Sequence, residues 1–242
     1  MFEPIIIPVC VVVLISGLIY GMFGFGYAVI SVAFLPYFIG VKIAVPMIAI
    51  QAPIYTGFML YGLRRHVVIR LALPLVLGML PGLPVGVYLL LILSEGTIQR
   101  LLGAMILLYS LWSLWNVSPK APLLRKEAWG LLTGFLSGVM GGATMAAGPI
   151  VVAYLILRGY SKETFKATFL VWAMSMGCLA APSYALSGIL TYRVFLWGII
   201  TMPFSALGIV LGVKLFSRVK ERVFYRLVIL FLAITGIRLL IS

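Results

Sequence analysis

Twice in this chain an apolar run too long for one membrane crossing is broken near its middle by glycines. The first run extends from Ile5 to Ile39 and contains Ser16-Gly17-Leu-Ile-Tyr-Gly21-Met-Phe-Gly24-Phe-Gly26-Tyr27. The second extends from Ala128 to Leu157 and contains Ser137-Gly138-Val-Met-Gly-Gly142-Ala-Thr144-Met-Ala-Ala-Gly148-Pro149. A spanning helix uses about 20 residues, each rising about 1.5 Å. Neither run therefore fits one straight helix, and a hairpin that bends at the glycines fits better. Non-helical backbone survives within a bilayer only where protein or a water-filled cavity covers it. Such breaks at matching places in two halves point to the binding site of a transporter.

The rest of the chain is equally apolar. Hydrophobic residues make up 64% and charged residues 10%, and the mean hydropathy is +1.21. An integral, all-α polytopic membrane protein follows, with no room for a soluble domain. The first stretch is not read as a cleavable signal peptide, because it lacks a basic start and runs past any cleavage point. A net charge of +13 would suggest nucleic acid in a soluble protein. Here the cations collect in short connections between spans, so the expected partner is the lipid bilayer and not nucleic acid.

The acidic residues say more. Asp is absent, and Glu3, Glu95, Glu127, Glu163 and Glu221 all fall at predicted span ends. With no carboxylate inside a span to bind a cation or relay a proton, the expected substrate is a small anion. Cys10 and Cys178 are read as packing residues. No metal-ligand spacing, nucleotide fingerprint or nucleophile with a credible base is present, so neither a cofactor nor an enzymatic role is expected.

Apolar segments follow at 43–62, 68–92 and 97–115 in the first half, and at 164–187, 193–215 and 222–241 in the second. The Pro- and Lys-bearing stretch 116–127 separates a first repeat, 1–115, from a second, 128–242. Ser16-Gly17 matches Ser137-Gly138 at an offset of 121, and Gly82 and Gly86 match Gly208 and Gly212 at 126. These last pairs are small-xxx-small patterns, which let helices approach closely.

Counting Lys and Arg decides between topologies. If every segment crosses once, the cations divide 8 to 10; if both broken runs return to their starting side, they divide 14 to 4. Only the second division has the expected cytoplasmic excess. It predicts two inverted repeats, each a Gly-broken hairpin plus three transmembrane helices, with both termini periplasmic. Such repeats support alternating access around a midplane site.

The duplicated Ser-Gly-x3-Gly opening, the Gly-rich tips, Phe34-Leu35-Pro36 and Gly148-Pro149 resemble the sulfite exporter TauE/SafE family of membrane permeases. The resemblance spans essentially the whole chain. It implies export or uptake of small sulfur-containing anions, such as sulfite or a sulfonate like sulfoacetate, across a bacterial inner membrane. The tips depart from that family's usual run of consecutive glycines.

An anion in a membrane needs donors, and half-helix N-termini provide unpaired N–H groups at the positive end of the dipole. Glycine at the tip lets a ligand touch the main chain. Gly24, Gly26, Gly142 and Thr144 are accordingly assigned to the anion site; the alternative is that the glycines serve only packing. Gln51, Tyr27 and Ser175 are candidate donors, and Trp172, the counterpart of Gln51 at an offset of 121, is a candidate lining residue. For Gln51 the competing role is an interhelical hydrogen bond, and for Trp172 it is aromatic packing. The expected function is a secondary carrier. An intramembrane assembly factor or enzyme with a lipid-like partner, and an anion channel, are the other readings. Oligomeric state stays open, with a homodimer among the options.

Overall fold

The computed structural model describes residues 3–94 and 127–216, with isolated positions between 96 and 107 and at 230. The first broken run forms α1 (Glu3–Phe23), α2 (Tyr27–Phe34) and the short α3 (Pro36–Ile39). Then come α4 (Val41–Leu63), a 3-10 turn at Arg64–His66, and α5 (Ile69–Ile92). The second broken run forms α6 (Glu127–Thr144) and α7 (Gly148–Arg158), followed by α8 (Lys162–Leu186) and α9 (Tyr192–Phe216). Apart from those isolated positions, the expected segments 97–115 and 222–241 lie outside the described residues, as does the stretch 116–126.

Among the described residues there is no strand, and five helices (α1, α4, α5, α8 and α9) are long and apolar enough to cross a membrane. Their outward faces are apolar too. On α1, Val9 and Val13 are buried while Ile7, Val11 and Ile15 are exposed. A helix apolar all round belongs in lipid, and the chain is a multi-pass membrane protein. The arms of each hairpin are unequal: α1 has 21 residues and α2 has 8, while α6 has 18 and α7 has 11. Each break thus follows a long first helix and does not divide its run evenly.

Both breaks leave a long helix at a residue of positive φ. Gly24 leaves α1 at φ 82°, and Met145, 121 positions later, leaves α6 at φ 57°. Helix pairing repeats with the halves exchanged. α1 packs on α9 as α6 packs on α5, and α4 packs on α9 as α8 packs on α5, while α4 and α8 pack on each other.

Glycine governs the two tightest pairs. A Cβ built on Gly82 or Gly86 would strike the backbone carbonyls of Phe135 and Val139 in α6, and one on Gly208 or Gly212 would strike those of Leu14 and Leu18 in α1. Gly17, Gly21, Gly138 and Gly142 meet the partner backbone in the same way from the other side. Backbones this close gain dispersion contacts that lipid cannot match. Cys10 is buried as expected, whereas Cys178 is exposed, so only the first is a core packing residue.

Candidate functional site

The two tips touch. A Cβ on Gly148 would lie 3.9 Å from Phe25 Cβ and 3.3 Å from the ring of Phe169. Between the tips lies a cavity of about 50 Å³. One water needs about 10–15 Å³ on such a measure, so there is space for a small oxyanion. Tip 1 contributes Phe25 through Val29, and tip 2 contributes Met145, Ala146 and Gly148. Two further walls come from Ile48, Ala52 and Tyr55 on α4 and from Phe169, Trp172, Ala173 and Met176 on α8.

Donors are concentrated at tip 1. Gly26, at φ 101°, precedes α2 without a side-chain cap. The first intrahelical bond of α2 runs from Ile30 N–H to Gly26 O at 2.9 Å. The N–H groups of Tyr27, Ala28 and Val29 therefore have no acceptor within the helix, and all three residues line the cavity. Tip 2 offers less. Ala146 N–H already donates to Thr144 Oγ1 at 3.0 Å, and Pro149 has no N–H to give.

One side chain of the wall carries an unmatched donor. Trp172 is 3% exposed and lines the cavity, yet its indole Nε1 has no hydrogen-bond partner. Leaving a buried donor unmatched costs about 1–3 kcal/mol, and buried donors in folded proteins nearly always find an acceptor. Its ring is held by Phe169, with centroids 5.3 Å apart.

The tyrosines in the wall are already satisfied. Tyr20 shares a hydrogen bond with Thr56 at 2.7 Å, and Tyr55 OH shares one with Ser205 Oγ. Tyr27 OH donates to Gln51 Oε1 at 2.6 Å. Gln51 in turn donates to Gly198 O at 2.8 Å and to Thr201 Oγ1 at 2.9 Å. Both amide hydrogens of Gln51 are thereby committed, and it ties α4 to α9 while fixing the first residue of α2.

Of the residues singled out in the sequence, Gly26, Tyr27 and Trp172 are brought together in the cavity wall. Gly24, Gln51, Gly142, Thr144 and Ser175 are not part of it. Gly142 instead sits in the α5–α6 contact, where a Cβ would collide with the carbonyl of Leu83. Thr144 donates to Met140 O at 2.7 Å and braces its own tip through Ala146, and Ser175 donates to Val171 O at 3.0 Å. Gly24 lies under the side chain of Lys166, whose Cγ would be 2.7 Å from a Cβ there.

Lys166 is the residue that sequence reasoning missed. Grouped by charge counting with the cytoplasmic cations, it is buried in the first turns of α8. Its Nζ donates to Gly21 O at 2.6 Å and to Met22 O at 3.3 Å. The signal was its place: four residues into a helix, with Val45 as its counterpart at an offset of 121. Phe25, Phe169 and Met145 were also missed, and only the spacing of 169, 172 and 176 along one helical face could have picked out the α8 wall.

No curated protein and no solved structure matches the chain. The family model for the sulfite exporter TauE/SafE matches residues 9–239, which takes in both tips and every helix that lines the cavity. Membership implies a membrane permease for sulfur anions. On a match of that extent, the chain belongs to the sulfite exporter TauE/SafE family.

Proposed function

We propose that this protein is a secondary carrier that moves a small sulfur oxyanion, sulfite or a small sulfonate such as sulfoacetate, across a bacterial inner membrane. The ion is held between the two hairpin tips and exposed to one side at a time. The observation that carries this reading is the donor set at the tip junction. Three consecutive residues at the start of α2, whose N–H groups have no acceptor within the helix, and Trp172, whose indole N–H is unmatched, line one cavity whose wall contains no carboxylate. Helix N-termini favour anions through their exposed N–H groups and the dipole together, and the surrounding aromatic rings exclude water and strengthen those bonds.

The exchange of pairing between the halves supports alternating access. α8 serves both first arms. Lys166 near its start caps the end of α1, and Tyr184, 18 positions on, donates to Gly142 O at 2.7 Å near the end of α6. Those positions are about 27 Å apart along a helix, which fits first arms entering from opposite sides, as inverted repeats would. In this reading the excess of Lys and Arg in the opposite connections puts both termini on the periplasmic side. Substrate-dependent counterflow in vesicles tests the reading, since a carrier exchanges internal for external anion and a pore does not.

A further inference from the structure

We propose that Gly148 is the anion contact of tip 2; this rests on the carrier reading above and names the residue that completes its site from the second half of the chain. Gly148 opens α7 as Tyr27, 121 positions earlier, opens α2. The same spacing relates other residues of the wall, Phe25 to Ala146 and Ile48 to Phe169. The two halves thus bring corresponding positions to one cavity, and a half-helix starts in the wall from each.

A glycine can line a cavity with main-chain atoms alone. The first bond at the head of α7 runs from Ile150 N–H to Ala147 O at 3.1 Å, so the N–H of Gly148 has no acceptor within the helix. At tip 1 the side chain in the corresponding place is drawn aside, because Tyr27 OH donates to Gln51 Oε1 at 2.6 Å. At tip 2 there is no side chain to draw aside. Trp172, whose buried indole N–H is unmatched, belongs to the same wall. An oxyanion is the group that unmatched N–H donors of this kind accept.

Neither backbone conformation nor packing asks for glycine at this position. Gly24 and Gly26 take φ of 82° and 101°, and a Cβ on Gly141 or Gly142 would strike Met176 Cε or Leu83 O. Gly148 has no positive φ. The atoms nearest to a Cβ on it are the end of the Phe169 ring, at 3.3 Å, and Phe25 Cβ, at 3.9 Å. Both of those residues line the cavity. A Cα–Cβ bond leans toward the N-terminus of its helix. A methyl group on the first residue of α7 therefore enters the space in front of that residue's own N–H, which is the space the ion needs.

The test is calorimetric titration of purified, monodisperse Gly148→Ala protein with sulfite and with methanesulfonate, beside the unaltered protein and with a melting curve of each. Blocking one hydrogen bond to a charged ligand costs about tenfold or more in affinity. That loss is expected for whichever anion the unaltered protein binds, with the melting midpoint within a few degrees of the parent. If the Phe169 ring does not yield to the new methyl group, the same substitution in a Phe169→Leu background, compared with Phe169→Leu alone, gives the answer. Folded Gly148→Ala protein that binds as tightly as the unaltered protein overturns the proposal and leaves the carrier reading standing. Failure to recover the substitution folded in either background also overturns it, because Gly148 is then a packing residue. Failure of the unaltered protein to bind either anion overturns the carrier reading, and the role of Gly148 with it.

Discussion

Replacing Trp172 by Phe removes the unmatched indole N–H of a cavity-lining residue and little else. The ring that packs on Phe169 at 5.3 Å remains aromatic, while the unmatched Nε1 is deleted. A hydrogen bond to a charged group is worth about 1.5–3 kcal/mol, so Kd for sulfite should rise by roughly 10- to 100-fold. Stability should respond differently. In the empty protein the indole N–H lacks a partner, and deleting it relieves a burial cost of about 1–3 kcal/mol. The smaller ring leaves a void that costs a similar amount, about 1–2 kcal/mol. The two offset, and the thermal midpoint of the ligand-free variant should stay within a few degrees of the parent. Calorimetric titration with sulfite and a melting curve on the same sample measure both. Unchanged affinity in a folded Trp172→Phe protein would refute the donor role. A large drop in midpoint with unchanged affinity would make Trp172 a packing residue only.

Two other outcomes follow from the packing and the topology. Gly142→Val should lower the yield of monodisperse protein severely, because a Cβ there already meets the backbone of Leu83 and Gly86; normal yield and melting with weakened binding would instead restore Gly142 to the site. Tags at the two termini should both be reachable from outside intact cells, and labelling of only one of them would contradict the hairpin topology.

Much of the fold could be read from the chain because glycine and hydrophobic length are strong local signals. The breaks fall at Gly24–Gly26 and at Met145–Ala147, where the glycine clusters end. Helices α4, α5, α8 and α9 match the apolar segments to within two residues at either end. The site was legible only in part, since one residue type does two jobs. Gly26 takes a left-handed turn at the cavity, whereas Gly142, in an equally Gly-rich stretch, lets α5 approach α6. No local pattern separates them. Gln51 looked like a donor awaiting a ligand because its acceptors, Gly198 O and Thr201 Oγ1, lie about 150 residues further on. The burial of Lys166 was missed for a related reason. A cation near a helix start looks like a cytoplasmic topology signal until tertiary packing lays α1 across it.

The most direct test of the carrier account is counterflow in proteoliposomes containing the purified protein. Vesicles loaded with unlabelled sulfite, sulfoacetate or a short carboxylate are diluted into a trace of radiolabelled sulfite, beside vesicles loaded with none. The expected result is transient accumulation of label above its external concentration in vesicles loaded with sulfite or the sulfonate, and much less in those loaded with the carboxylate. Accumulation should saturate with internal substrate and fall in Trp172→Phe. Equilibration of label at a rate independent of the internal anion would contradict a carrier and leave a pore, and no uptake of label under any load would contradict sulfite transport itself.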